Sequence, residues 1–168
     1  MTEPRTAARI RPAEAADLAR IVELIHEHAA YERAAPPAPG LADRLAPLLF
    51  GPDRAAATGP ERGRDLRVLL AETGTGEDRL VVGYAALATE FAFWEGRSYL
   101  HMDCLYLAEQ ARGHGLGAAL MDGVRRYARE LGLEQVQWQT PDWNADAIRF
   151  YDRLGAAGKP KLRYGWTV

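Results

Sequence analysis

The stretch Arg112-Gly113-His114-Gly115-Leu116-Gly117-Ala118 lies between an apolar, strand-like segment and a helix-like segment. Its three alternating glycines allow positive φ angles and let a ligand approach the main chain closely. The first turn of the following helix offers free N–H groups and the positive end of the helix dipole. Arg112 can add a charge-assisted contact to the same anion. The sequence predicts a phosphate or pyrophosphate site here; a tight turn that merely needs positive φ angles is the simpler alternative.

Two common nucleotide motifs fit this loop poorly. Gly113 to Ala118 satisfies the dinucleotide pattern G-x-G-x-x-A, but the following acidic residue, Glu134, stands at the start of the next predicted strand instead of its end. About fifty residues follow the loop, too few for a doubly wound half with its partner. No Lys-Ser or Lys-Thr pair follows the glycines, which excludes a Walker-type loop. A phosphate-bearing cofactor such as coenzyme A remains.

Apolar residues spaced by two or by about 3.6 positions predict the other elements. Strands are expected over residues 8–11, 66–72, 80–91, 99–107, 136–140 and 162–168, and helices over 14–32, 41–50, 118–131 and 144–154. The densely apolar strand 99–107 is expected to be central and covered on both faces. Antiparallel pairing followed by one strand–helix–strand unit predicts an α+β sandwich, with a mixed, mostly antiparallel sheet flanked by helices. Gly51 to Asp65 is expected to be a polar loop.

Composition indicates one ordinary globular domain over residues 1–168. The apolar fraction is 48%, and the net charge of −2 carries no basic excess that would suggest nucleic acid. The apolar runs are too short to span a membrane, and the N-terminus lacks the apolar core of a secretory signal. The single cysteine, Cys104, excludes an internal disulfide and a thiolate zinc cluster. A cytoplasmic protein is expected, with no membrane or nucleic-acid partner.

Two separated motifs resemble those of the GNAT superfamily of acetyltransferases. Arg112 to Gly117 has the form of its cofactor signature, R/Q-x-x-G-x-G/A, and Asp142 to Ala156 is similar to its second landmark, W-N-x-x-A/S-I-x-F-Y-x-x-x-G-A. The segments Ile10 to Ala13 and Ala30 to Glu32 resemble the diamine (spermidine/spermine-type) branch. The resemblance covers essentially the whole chain and implies a GNAT fold and acetyl-CoA as cosubstrate.

The resemblance also implies roles for individual residues. The strand backbone at Leu105, Tyr106 and Leu107 would pair with pantetheine. The pyrophosphate would lie on Arg112, Gly113, His114, Gly115, Leu116, Gly117 and Ala118. Asn144 would contact the cofactor arm, and Tyr151, beside the cofactor, would protonate the departing thiolate. Asp103 matches a strand carboxylate, a Glu in diamine acetyltransferases, that accepts the proton of the amine; the shorter Asp favours transfer through a bridging water.

Acceptor recognition is assigned by the same resemblance to Tyr31 and Glu32. Together with Asp142, Glu90 and Glu95 they can form an acidic rim for a cationic amine, and aromatic walls can come from Trp94, Trp143 and Trp166. Exposed acids are common, however, and Glu32 can equally be a solvated helix end. His101 is expected either to relay protons or to be a core histidine. Cys104 is expected on the face opposite Asp103, and His26 and His28 in no carboxylate cluster, so no metal is expected.

The predicted activity is acetyl transfer from acetyl-CoA to the primary amine of a small molecule, such as a polyamine or a lysine analogue, by direct attack in a ternary complex. Two alternatives stay open: acetylation of a protein N-terminus or lysine, which needs an open groove and makes Gly51 to Asp65 the segment to inspect, and a non-catalytic acyl-CoA sensor. The resemblance to the diamine branch also implies a homodimer, in which the predicted closing strand 162–168 could pair across the interface.

Overall fold

The computed structural model describes residues 8–51 and 66–168 of the chain. These residues belong to two compact units, Met1–Trp138 and Gln139–Val168. The expected polar loop from Gly51 to Asp65 lies outside the described residues except for Gly51 itself.

The first unit contains a five-stranded sheet in the order β1-β2-β3-β4-β5. The strands are β1 (Arg9–Pro12), β2 (Leu66–Thr73), β3 (Leu80–Ala92), β4 (Arg97–Leu107) and β5 (Val136–Trp138). The pairings β1–β2, β2–β3 and β3–β4 are antiparallel, and β5 joins β4 in parallel. The parallel pairing follows a crossover through α3, as expected for a strand–helix–strand unit. The predicted α+β fold with a mixed, mostly antiparallel sheet is confirmed.

Three α-helices of this unit cover the two faces of the sheet: α1 (Leu18–Tyr31), α2 (Leu41–Phe50) and α3 (Leu116–Glu130). The core under α1 and α2 includes Val68 and Leu70 of β2. Leu69, between them in sequence, faces α3 at Gly123, as side-chain alternation along a strand requires. The glycine at position 123 lets α3 approach β1 closely, since an added Cβ would lie 2.9 Å from Ile10 Cγ2.

An ion cluster fastens β1 to the start of α1. Arg11 donates hydrogen bonds to Asp17 at 2.7 and 2.8 Å, and to Glu72 of β2 at 2.7 Å. Asp17 also accepts the backbone N–H of Glu14, which closes a capping box ahead of the helix. The hydrogen bond from Arg11 holds the pKa of Asp17 below its ordinary value.

The second unit contains α4 (Ala145–Arg153), close to the predicted 144–154. The predicted closing strand 162–168 is wrong: the structure assigns no strand there, and its apolar side chains, Leu162, Tyr164, Trp166 and Val168, are exposed. The alternating pattern is compatible with a strand, but a strand also needs an edge to pair with, which the pattern does not supply. β5 is likewise shorter than predicted, ending at Trp138 instead of Thr140.

Candidate functional site

Asp103 lies at an irregularity in β4. In the β3–β4 register, Cys104 pairs with Ala86 and Met102 pairs with Leu87, so Asp103 has no residue opposite it. This two-against-one arrangement is a β-bulge, which turns side chains away from strict alternation. The Asp103 side chain is 67% exposed. The expectation that this part of β4 is covered on both faces is therefore wrong. Because the Asp103 carboxylate is exposed, it keeps its contact with water and carries no large desolvation penalty.

The bulge also brings Cys104 to the same side as Asp103. Cys104 Sγ lies 3.5 Å from Asp103 Oδ2, so the predicted placement on opposite faces, which assumed a regular strand, is wrong. His101 Nε2 lies 3.8 Å from Asp103 Oδ1 on the other flank. Burial, together with the negative charge of Asp103, raises the pKa of the Cys104 thiol to about 12. The thiol stays protonated at neutral pH, which argues against an acyl-cysteine intermediate.

Strands β4 and β5 separate just before Asp103. Their parallel pairing covers Leu100 to Met102 and, within the described residues, goes no further. Downstream, β4 pairs with β3 through Leu107, opposite Gly83. The predicted pantetheine segment, Leu105 to Leu107, thus lies where the β5 ladder has ended. The carbonyl of Leu107 accepts a hydrogen bond from Arg112 Nε at 2.9 Å.

The glycine loop forms the N-terminus of α3. Gly113 and Gly115 have φ angles of +79° and +81°, and Gly115 is the N-cap of the helix, which begins at Leu116 instead of the expected Ala118. A Cβ at either glycine would meet nothing within 4 Å, so the loop needs glycine for its backbone angles and faces open space. His114 is exposed, and the first turn of α3 contains no acidic residue. These features suit an anion.

Arg112 packs against the aromatic residues at the end of α1. Its guanidinium carbon lies 4.3 Å from the Tyr31 ring centroid and 5.5 Å from that of Tyr106 in β4. Both distances are within the range of cation–π contacts. Tyr106 Oη donates to Glu27 of α1 at 3.4 Å. The residue expected at the cofactor phosphates therefore contacts Tyr31, which is expected at the acceptor.

A histidine that sequence reasoning set aside occupies the same end of α1. His28 Nδ1 lies 2.9 Å from Tyr84 Oη, and its Nε2 lies 3.3 Å from Glu32 Oε1. The ring stacks on Tyr106, with centroids 5.0 Å apart and planes 23° from parallel. His28 thus contacts one carboxylate, a pairing that the sequence analysis did not anticipate. The i, i+4 spacing of His28 and Glu32 was the available signal, because such residues are neighbours on a helix.

In the second unit, Asn144 is the N-cap of α4. Its side chain is buried and accepts the backbone N–H of Ala147 at 3.1 Å. Asn144, expected as the first residue of the helix 144–154, instead precedes the helix and caps its first turn. Tyr151 lies within α4 with its ring centroid 5.2 Å from that of Phe150, and Asp142 is exposed.

The acidic-rim residues outside α1 are only partly free. Glu95 forms an ion pair with Arg97 at 2.8 Å, and Arg97 also reaches Glu134 at 3.0 Å. Trp94, beside Glu95 in the β3–β4 connection, is almost completely exposed. Over residues 8–51 and 66–168, no group of three or more His, Cys, Asp or Glu side chains is arranged to hold a metal ion. In the same residues, no helix combines the length and apolar character of a membrane span.

Comparison with known protein families identifies the family of this chain. The Acetyltransferase (GNAT) family matches residues 28–156, which include β4, the glycine loop and α4. The chain belongs to the GNAT acetyltransferase family. The family expectation is confirmed, and the chain is an acyltransferase.

Similar GNAT proteins include enzymes named for small amines. The chain is 28% identical over 161 residues to a thialysine N-epsilon-acetyltransferase from Bos taurus, covering 94% of this chain and 88% of that one. It is 29% identical over 79 residues to an L-ornithine N5-acetyltransferase from Arabidopsis thaliana, covering 47% and 35%. A crystal structure of a probable acetyltransferase matches with a TM-score of 0.73 and 17% identity, covering 95% and 97%. The last similarity concerns the fold.

Proposed function

We propose that this GNAT enzyme transfers the acetyl group of acetyl-CoA to the primary amine of a small molecule, such as a polyamine or a lysine analogue. The observation that carries the proposal is the cluster around the β4 bulge, where the exposed Asp103 carboxylate shares its surroundings with the acidic and aromatic end of α1. The names of the thialysine and ornithine relatives support an acceptor of this class. We further propose that residues 1–168 act as one GNAT domain.

The glycine loop fits the diphosphate of coenzyme A. Its positive-φ glycines face open space, and the amides of the first turn of α3 form the positive end of a 15-residue helix. We assign the diphosphate to Gly113 to Ala118 with Arg112, the pantetheine to the backbone of Leu105 to Leu107, and the cofactor arm to Asn144. When bound, the cosubstrate supplies an acetyl thioester.

Proton removal from the acceptor is the first task of the protein. An alkyl amine of pKa near 10 is about 99.9% protonated at pH 7, and deprotonation costs roughly 4 kcal/mol. Asp103 is a suitable acceptor of this proton, directly or through one water, because its carboxylate is exposed. The neutral amine would then attack the thioester carbon of bound acetyl-CoA directly in a ternary complex, so that the amide C–N bond would form as the C–S bond breaks. Tyr151 returns a proton to the leaving sulfur, as its place in the family motif implies.

Recognition of the acceptor is assigned to Tyr31 and Glu32 at the end of α1, with Asp142 of the second unit as a further acid. A carboxylate and an aromatic face both attract an alkylammonium group. The Tyr31 ring already holds one cation, the guanidinium of Arg112, in the structure. If Asp103 receives the proton of the reacting amine, Glu32 stays available for a second positive group, so a diamine is expected to be preferred over a simple amine.

A thiol-release assay tests this function. The protein with acetyl-CoA is offered a polyamine, thialysine, L-ornithine, a protein N-terminal peptide and a lysine peptide, and free coenzyme A is measured. Release with the small amines supports the proposal. Release with the peptides alone favours a protein acetyltransferase, and binding of coenzyme A without release for any acceptor favours a sensor.

We also propose a cytoplasmic homodimer. The resemblance to the diamine branch supports it, and so do the exposed apolar residues Leu162, Tyr164 and Trp166 of the C-terminal segment. Light scattering of the full chain and of a chain ending at Pro160 tests this assembly: the full chain is expected to be dimeric and the shortened chain monomeric.

A further inference from the structure

His28 is held on three sides at the end of α1. Its ring is stacked on Tyr106, its Nδ1 contacts the hydroxyl of Tyr84, and its Nε2 contacts the carboxylate of Glu32. The side chain of His28 is only 12% exposed, whereas that of Glu32 is 37% exposed. Tyr84 is a buried β3 residue, so the chain of contacts leads from the core to a partly exposed carboxylate.

The partners decide where the imidazole carries its proton. A carboxylate can only accept a hydrogen bond, so Nε2 must be the protonated nitrogen in its contact with Glu32. In the neutral ring, Nδ1 then has a lone pair and accepts the hydroxyl proton of Tyr84. The ring is neutral at pH 7, because burial lowers the pKa of His28. In this arrangement both ring nitrogens have a hydrogen-bond partner, and the Nε2–H group orients the carboxylate of Glu32.

We propose that His28 is a positioning residue of the acceptor site, which holds the Glu32 carboxylate for a cationic group of the acceptor and weakens that attraction when the ring becomes protonated. The inference rests on the proposed function, because it assumes that Glu32 meets the acceptor. His28 itself touches neither acceptor nor cofactor in this assignment. Its effect passes through Glu32, and the structure shows that contact directly.

The charged groups around His28 set the direction of the pH effect. The carboxylates of Glu32 and, from β4, of Asp103 favour the protonated ring. Burial and the guanidinium of Arg112 favour the neutral ring. The other titratable groups against the ring are the hydroxyls of Tyr84 and Tyr106. Burial is the largest of these effects, so the ring gains its proton only below the ordinary histidine pKa of about 6.5. The imidazolium then offsets the charge of Glu32, and Nδ1 can no longer accept from Tyr84.

A binding experiment isolates this effect from catalysis. Dissociation constants of 1,5-diaminopentane and 1-aminopentane for the coenzyme A complex are measured by calorimetry from pH 8 to pH 5. The ratio of the two dissociation constants reports how much the second positive charge of the diamine contributes to binding. We expect the wild-type preference for the diamine to fall about fivefold over this range, the size of a partly exposed ion pair. His28→Ala is expected to lose the preference at every pH. His28→Gln, which keeps a donor and an acceptor but cannot titrate, is expected to restore it without the pH dependence.

The tautomer is checked in the cofactor-free protein by ¹⁵N NMR of the imidazole. The wild type is expected to show the Nε2–H form, and Glu32→Gln is expected to lower the pKa of His28 because the favourable carboxylate charge is gone. An Nδ1–H tautomer, or the same pH dependence of the diamine preference in His28→Gln and wild type, would overturn the inference while leaving the proposed function intact. Absence of thiol release with every small amine would instead contradict the proposed function.

Discussion

Asp103 is the one extra residue at the bulge in β4, and its carboxylate is exposed. Without the bulge, strict alternation would place it and Cys104 on opposite faces of the sheet. With the bulge, the Cys104 sulfur approaches the carboxylate, and the carboxylate remains open to solvent and to an acceptor. A single register shift thus brings Cys104 beside the carboxylate that we propose as the proton acceptor.

The role of Asp103 is tested by Asp103→Asn, which preserves the shape of the side chain and removes the proton acceptor. We expect kcat/KM for the amine to fall about 100-fold, the lower range for loss of a general base. Affinity for coenzyme A, measured by calorimetry, is expected to change less than twofold. Asp103→Glu serves as the control and should keep most of the activity. Turnover of Asp103→Asn close to wild type would remove Asp103 from the mechanism.

Cys104 provides a test that depends on pH. Because its pKa is raised to about 12, the thiolate fraction should rise tenfold for each pH unit between pH 7 and pH 10. Alkylation by iodoacetamide, followed by mass spectrometry, is expected to keep that slope throughout, whereas free cysteine levels off above its pKa of about 8.5. At pH 8 the thiolate fraction should be about 2,400-fold below that of free cysteine. A thiolate of higher pKa is intrinsically about 40-fold more nucleophilic, so the alkylation rate should be about 60-fold lower. A plateau near pH 8.5 would contradict the burial of this thiol.

At the scale of elements, the contact between α3 and β1 depends on Gly123. Alanine there would gain about 1 kcal/mol of helix propensity, but its Cβ would lie 2.9 Å from Ile10 Cγ2. Overpacking of this kind costs about 1–3 kcal/mol, so we expect Gly123→Ala to lower the free energy of unfolding by about 1 kcal/mol. In an Ile10→Ala background the same change should stabilise the protein. The free energies of unfolding of the wild type, the two single variants and the double variant are measured by urea denaturation. An equal effect of Gly123→Ala in both backgrounds would show that its Cβ does not clash with Ile10.

The junction of β1 and α1 is expected to depend on Arg11 far more than on Arg9. Arg11→Met leaves the largely buried carboxylates of Asp17 and Glu72 without their main partner, and should cost about 3 kcal/mol of unfolding free energy. Arg9→Ala, at a residue 53% exposed and 3.7 Å from Glu72, should cost less than about 1 kcal/mol.

The same junction has a pH signature. Since the pKa of folded Asp17 is lowered, its contribution is complete above the unfolded value of about 3.9 and is lost as the pH falls below it. Urea denaturation of the wild type between pH 7 and pH 3 should show that loss, and Arg11→Met should show less of it. Equal costs for Arg9→Ala and Arg11→Met would contradict this account.

At the scale of the whole molecule, binding of coenzyme A at the glycine loop should raise the melting temperature of the protein. A ligand at about 100 times its dissociation constant adds about 2.7 kcal/mol, which for a domain of this size raises Tm by about 5 °C or more. We expect this shift with coenzyme A and a much smaller one with pantetheine, which lacks the diphosphate. Differential scanning fluorimetry measures both. Equal shifts for the two compounds would place the binding energy outside the loop.

Local chemistry made much of this protein predictable from its sequence. The turn at Gly113 and Gly115 and the helix after it follow from residue types within a few positions, and so do the strand pair β2–β3 and the helix α1. The family motifs place the candidate site on the same elements. The predictions that failed, such as the strand over 162–168, depended on a partner distant in the sequence.

The order of strands and helices as far as α4, the α+β class, the glycine turn before α3 and the GNAT motifs were determined by the sequence alone, because backbone preferences and hydrophobic spacing act over a few residues. Only the tertiary structure decided that β4 bulges at Asp103, that Arg112 rests on Tyr31, and that His28 joins Glu32 to Tyr84. Those contacts arise from register and packing between separate elements, which no local pattern encodes.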